Sequence, residues 1–231
     1  VGFVFDGDGD RIAAVDGQGN FLSSQILIPV LIEHLASRRG FTGEFIKTVS
    51  GSDLMPKVAQ LFNLPVFETP IGYKYIADRM MQTGTALMGG EESGGIGYGN
   101  HIPERDGLLS ALYVLEAIAA SGKDLSELYR SLQDRTGFAS AYDRIDLTLS
   151  SDAAKAQLIQ ELQQNPLTEM AGIAVSNVVA PDGYKYRLVD GSWVLIRFSG
   201  TEPVLRIYCE AATEAQVNTL LHWTKDWALA R

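Results

Sequence analysis

The chain has 231 residues, 46% of them hydrophobic and 20% charged, a balance that supports packed cores and excludes a disordered protein. Its 19 basic residues are scattered among 28 acidic ones for a net charge of −9, which excludes a nucleic-acid or anionic-membrane surface. No apolar run approaches the roughly eighteen residues of a membrane span, no signal-peptide pattern opens the chain, and the lone Cys209 has no internal disulfide partner, so a soluble protein of a reducing cytoplasm is expected.

The first predicted element is an apolar strand over 1–5. An acidic, glycine-rich loop (DGDGDR) follows it, then a second strand over 12–15 and a turn (DGQGN) that favours positive φ. Because the chain opens on Val1 directly in a strand, it is expected to begin inside a folded unit. A helix is predicted next, with Ser23 or Ser24 as its cap, Ile26, Val30, Leu31 and Leu35 on one face, and Gly40 at its end. Residues 41–122 then alternate strand and helix: EFIKTVS, DLMPKVAQLF, PVFET, KYIADRMMQT, TALMGG and DGLLSALYVLEAIAAS. That alternation predicts a mixed, mostly parallel sheet covered by helices. Residues 121–140 read as a short amphipathic helix and a polar connection, the best place for a domain boundary.

Beyond Tyr142 the pattern changes to strand (DRIDLTL), helix (SDAAKAQLIQELQQN), four further strands (GIAVSNVV, YKYRLV, SWVLIRFS, VLRIYCEA) and a closing helix over EAQVNTLLHWTKDWALA. Strands joined by PDG and DG turns predict an α+β layer with an antiparallel sheet. Cys209 falls inside the alternation of LRIYCEA and reads as a buried structural thiol.

The acidic loop is the first chemical signal. Asp6, Asp8 and Asp10 alternate with Gly7 and Gly9 after a strand, and three converging carboxylates form a hard-oxygen site for a divalent cation, Mg2+ being the natural choice. An EF-hand is rejected, because the sixth loop position is Arg11 rather than glycine and the twelfth is Gly17 rather than glutamate. A phosphatase of the haloacid dehalogenase type also places an Asp-x-Asp after an apolar strand and stands as an alternative, as does a solvated acidic turn.

Three further segments carry chemistry. In ETPIGYKYI, Lys74 follows a glycine turn at a strand end, where it presents a point charge to a transferring phosphate or simply starts a helix. In GGEESGGIGYGNHIPERDG, glycines let the backbone approach a ligand, and Glu91 is an acceptor for vicinal hydroxyls. His101 reads equally as a functional or a structural hydrogen-bonding residue, and Asp106 as a helix cap. In IRFSGTEPVLRIYCEA, Arg197, Ser199, Gly200 and Thr201 combine guanidinium, hydroxyl and amide donors suited to a phosphate monoester, with Arg206 as a structural ion-pair partner.

Taken together, these segments resemble the α-D-phosphohexomutase superfamily of phosphoglucomutases and phosphomannomutases over nearly the whole chain. The resemblance implies that Asp6, Asp8 and Asp10 hold Mg2+, and that Arg11 and Lys74 are catalytic, Lys74 lying near the reacting phosphoryl group. It also implies that Glu91 and Ser93 bind hexose hydroxyls and that Arg197, Ser199, Gly200 and Thr201 bind phosphate. Many members place histidine where this chain has Gly95. The implied organisation is a remnant of the second family domain with the metal loop (1–21), an α/β sugar-binding third domain (22–135), and a phosphate-binding fourth domain (139–231) with helices on one face of its antiparallel sheet.

The implied activity is interconversion of hexose 1-phosphate and hexose 6-phosphate, glucose or mannose, through a phosphoserine, with a hexose 1,6-bisphosphate as intermediate and activator. The phosphoserine motif, TASHNP-like, does not occur in this sequence, and Ser50 and Ser52 of TVSGSD read as a helix cap. These residues alone are therefore expected to be inactive. A non-catalytic sugar-phosphate binding module is the remaining alternative, and the expected partner in every case is a small sugar phosphate.

Overall fold

The DGDGDR loop closes a hairpin. In the computed structural model, which describes residues 1–231, β1 (Gly2–Phe5) pairs antiparallel with β2 (Ile12–Val15) in a register that sets Phe5 opposite Ile12, so residues 6–11 form the link. A short β3 (Phe21–Leu22) completes this 3-stranded sheet. The turn before β3 is pinned by Asp16, which accepts from the backbone of Gln18 and Asn20. The chain divides into two compact units, Val1–Phe138 and Ala139–Arg231.

In the first unit, α1 (Ser24–Ser37) is more deeply buried than a one-faced helix. Leu27, Ile28, Leu31, Ile32 and Leu35 are fully enclosed, and Gln25 and His34 are buried with them. The expectation of a single apolar face fails because α1 touches α2 (Leu54–Leu61), α4 (Gly107–Ser121), α5 (Leu125–Thr136), β2 and β6 (Ala86–Gly90) together. The serine cap also fails: Ser23 makes no side-chain cap bond, and Ser24 Oγ instead donates to the carbonyl of Glu92 at 2.9 Å.

The main sheet of this unit has the order β5-β4-β6-β7. Strands β4 (Glu44–Thr48), β5 (Val66–Thr69) and β6 run parallel, as the alternation predicted, and α3 (Tyr73–Thr83) follows β5. An antiparallel edge, β7 (Ile96–Tyr98), was not foreseen. The loops after β4, β5 and β6 all leave from the carboxyl ends of parallel strands, the edge where α/β sheets bind ligands. Strand β6 ends in two glycines for a packing reason: a Cβ at Gly90 would meet Ile28 of α1 at 2.6 Å, and one at Gly89 would meet Met80 of α3 at 3.0 Å. Helix α4 has its predicted cap, Asp106 accepting from the Leu109 amide at 2.8 Å.

The second unit is a 6-stranded antiparallel sheet in the order β8-β13-β12-β11-β10-β9. Its strands are β8 (Ala141–Thr148), β9 (Glu169–Met170), β10 (Ile173–Val179), β11 (Tyr184–Leu188), β12 (Trp193–Phe198) and β13 (Val204–Ala211). Only the two-residue β9 was absent from the sequence reading. Alternation sorts the two faces. Val194, Ile196, Leu205, Ile207 and Cys209 form a core with Leu158 and Leu162 of α6 (Asp152–Gln164) and with Val217, Leu220 and Leu221 of α7 (Glu214–Leu229). Residues one step out of phase, Arg197 and Arg206 among them, occupy the opposite face. Cys209 is fully buried, and burial pushes its thiol far above the ordinary value.

Candidate active site

Within the first unit, the acidic loop and the loop after β6 are joined through their backbones. The Ile12 amide donates to the Gly94 carbonyl at 3.0 Å, and Arg11 forms a β-bridge with Gly95. This pairing sets the three aspartates beside Glu91. Carboxylate oxygens of Asp6, Asp8 and Asp10 lie within 4.8 Å of one another, Asp8 exposed and the other two half-buried.

Arg11 organises the loop. Its amide donates to Asp6 Oδ1 at 3.1 Å, its guanidinium bonds Asp6 Oδ2, and it lies 3.8 Å from Asp10. For Asp6, desolvation pushes the carboxyl up, but the hydrogen bonds from Arg11 outweigh it and hold the group below its ordinary value. Asp10 goes the other way: desolvation, joined by repulsion from Asp8 and Asp6, exceeds the attraction of Arg105 and raises it. Three hard oxygen donors under mutual repulsion suit a divalent cation, so the residues present fit Mg2+.

Glu91 is buried, and its environment is fixed on two sides. Ser93 Oγ donates to Glu91 Oε1 at 2.6 Å, and the Glu91 amide donates to the Gly95 carbonyl at 2.9 Å. The neighbouring Glu92 carboxylate accepts from Ser50 Oγ at 2.6 Å and Thr48 Oγ1 at 3.3 Å at the end of β4. Ser50 is therefore a brace of the loop after β6 rather than the predicted helix cap. Ser52 does cap, its Oγ accepting from the Leu54 amide at 3.0 Å. Desolvation raises the Glu91 carboxyl, partly offset by the Ser93 bond.

Arg105 is the residue the sequence reading missed. Its Nη2 forms an ion pair with Asp10 Oδ2 at 2.7 Å, Nη1 lies 3.9 Å from Glu91 Oε1, and the guanidinium stands 5.5 Å above the ring of buried Tyr73. The stem passes where a side chain on residue 95 would sit: a Cβ at Gly95 would come within 2.6 Å of Arg105 Cδ and 2.9 Å of Glu91 Oε1. A bare Gly95 is thus the sequence signal, legible only once Arg105 is placed. His101 Nε2 lies 3.1 Å from the carboxylate of the cap residue Asp106. Lys74 stands in the first turn of α3 after Gly72, at the same strand-end edge. Lys74 is exposed, and its ammonium lies 4.7 Å over the Tyr75 ring.

The second unit carries the other candidate loop. Arg197 near the end of β12 donates from Nε to Asp182 at 3.0 Å, and Lys155 of α6 donates to the Ser199 carbonyl at 2.5 Å. Ser199 is buried, and its Oγ accepts from the Thr201 amide at 3.4 Å, while Gly200 and Thr201 are exposed. Arg206, opposite Asp146 in the ladder and 3.9 Å from its carboxylate, has the ion-pair role predicted for it.

Both units match models of one family. Residues 23–136 match the alpha/beta/alpha domain III of phosphoglucomutase/phosphomannomutase, and residues 151–224 match the C-terminal domain of the same family. The chain is 32% identical over 231 residues to the phosphoglucosamine mutase of Limosilactobacillus reuteri, covering all of this chain and 46% of that protein. It is 28% identical over 220 residues to a phosphoglucomutase/phosphomannomutase of Thermococcus kodakarensis, covering 95% of this chain and 45% of that protein. A crystal structure from Thermus thermophilus, of a protein provisionally named a phosphomannomutase, superposes with a TM-score of 0.82 at 32% identity, over 98% of this chain and 45% of that one. The chain belongs to the α-D-phosphohexomutase superfamily. It spans about half the length of the curated relatives it matches. No helix in it is long and apolar enough to cross a membrane.

Proposed function

We propose that the whole protein interconverts hexose 1-phosphate and hexose 6-phosphate through a phosphoserine and a hexose 1,6-bisphosphate. The observation that carries this reading is the backbone pairing of the acidic loop with the Glu91 loop, which sets a hard-cation site next to a hydroxyl acceptor. Glu91, with Ser93 donating to it, accepts hydrogen bonds from vicinal sugar hydroxyls, so the sugar is fixed by groups whose own geometry is already set. Arg197, Ser199, Gly200 and Thr201 hold the phosphate that is not being transferred. Arg11 keeps Asp6 ionised, and Lys74 offers an exposed positive charge at the strand-end edge. Mg2+ bound by Asp6, Asp8 and Asp10 would supply Lewis-acid polarisation of a phosphoryl oxygen.

The nucleophilic serine is not among these 231 residues, so the chain by itself is inactive in this reading. The relatives' names span glucosamine, glucose and mannose phosphates. The deciding experiment is a coupled assay of the complete protein on glucose 1-phosphate, mannose 1-phosphate and glucosamine 1-phosphate, with Mg2+ present or chelated. Isomer formation that needs Mg2+ is expected; steady release of inorganic phosphate without isomer would replace the mutase with a phosphatase.

A further inference from the structure

Arg105 stands between two loops that the proposed function assigns to different ligands. It forms an ion pair with Asp10 in the cation loop at 2.7 Å and approaches Glu91 in the sugar loop to 3.9 Å, using the space that Gly95 leaves open. Its donors are not all engaged: Nε is buried, 3.4 Å from Glu104 Oε1, and without a hydrogen bond. A guanidinium offers five N–H donors in a rigid fork, well matched to phosphate oxygens.

A divalent cation among Asp6, Asp8 and Asp10 changes what this guanidinium meets. The cation takes up the negative charge that now attracts Arg105 and repels a second positive group nearby. Glu91 is the neighbouring acceptor, and the ligand bound there is anionic. We propose that Arg105 is a positioning residue shared by the two loops: it is the counter-ion of Asp10 until a divalent cation claims that carboxylate, and it then serves as a donor to the anionic ligand held at Glu91. Cation and sugar phosphate therefore bind cooperatively, and the cooperativity runs through one side chain. This inference rests on the reading of the acidic loop and Glu91 given above.

The test is calorimetric titration of the 231-residue chain with MgCl2, in the absence and presence of saturating glucose 1-phosphate. By linkage, each ligand must strengthen the other by the same factor, expected here at about 5-fold or more. In Arg105→Gln the factor falls to about 1, while Mg2+ alone binds roughly 3-fold tighter because a competing positive charge has gone. Gly95→Ala, which pushes the Arg105 stem aside without removing its charge, also abolishes the coupling. Should either variant fail to fold by circular dichroism, Arg105→Lys keeps the charge without the fork and is expected to lose the coupling at nearly unchanged Mg2+ affinity.

Coupling that survives Arg105→Gln, no coupling in the parent chain, or weaker Mg2+ binding by Arg105→Gln each overturns the proposal. A glucose 1-phosphate affinity indifferent to Glu91→Gln instead overturns the assignment of the sugar loop.

Discussion

The two units prepare their loops in opposite ways. In the first, Glu91 is buried, Ser93 and the Gly95 carbonyl fix it, and Glu92 beside it is braced from β4 by Ser50 and Thr48. In the second, the ends of the loop are anchored at Arg197 and Ser199, but its middle, Gly200 and Thr201, stands exposed. The contrast follows the chemistry of what each is proposed to hold. A neutral hydroxyl is recognised by direction, so its acceptor must be set in advance; a phosphate dianion is recognised by charge and by many donors, so its loop tolerates openness.

Removing Arg197 is the strongest way to break this comparison. Arg197→Ala deletes the one guanidinium of the second loop, and affinity for glucose 1-phosphate is expected to fall about 100-fold in calorimetric titration, as befits charge-assisted bonds. A loss below threefold would mean that charge does not dominate there. Glu91→Gln keeps the shape but halves the acceptor capacity and removes the charge, so a smaller loss, about 10-fold, is expected in the same titration.

The pH profile sharpens the point. Because desolvation raises Glu91, its acceptor form is lost as pH falls through a value above the ordinary glutamate range, and glucose 1-phosphate binding should decline correspondingly early. Glu91→Gln should lack that step. For stability the sign is the reverse of a paired carboxylate: ionised Glu91 costs stability above its folded pKa, and the cost vanishes below the unfolded one.

Ser50→Ala withdraws a brace from Glu92 and is expected to lower stability by about 1–2 kcal/mol in urea unfolding, the cost of an unmade buried hydrogen bond. The smallest effect is expected at Cys209. Buried and held as the neutral thiol, it should resist a thiol reagent in the native chain and react after denaturation.

Much of this architecture was legible because periodicity is local. The strands β4, β5 and β6, the helices between them, the Asp106 cap and the change to antiparallel strands after Tyr142 follow from residues adjacent in sequence. What escaped depends on distant partners. Ser24, one of two serines expected to cap α1, bonds a carbonyl 68 residues away, and Ser50 bonds a carboxylate 42 residues away. Arg105 escaped because its position depends on a side chain that Gly95 does not have. The three aspartates were visible as a cluster; their neighbourhood with Glu91 was not, since it rests on the backbone pairing of residues 11 and 12 with 94 and 95.

The paired glycines at the end of β6 have a dynamic consequence. With Ile28 pressed against Gly90 and Met80 close to Gly89, the root of the Glu91 loop is clamped between two helices while its tip is held by single hydrogen bonds. Amide exchange should therefore rise within a few residues, from protons at Gly89 and Gly90 released by opening of the whole unit to protons at Ser93 and Gly94 released by local fluctuation. A gradient that steep lets the Glu91 loop adjust its tip without loosening the strand that carries it.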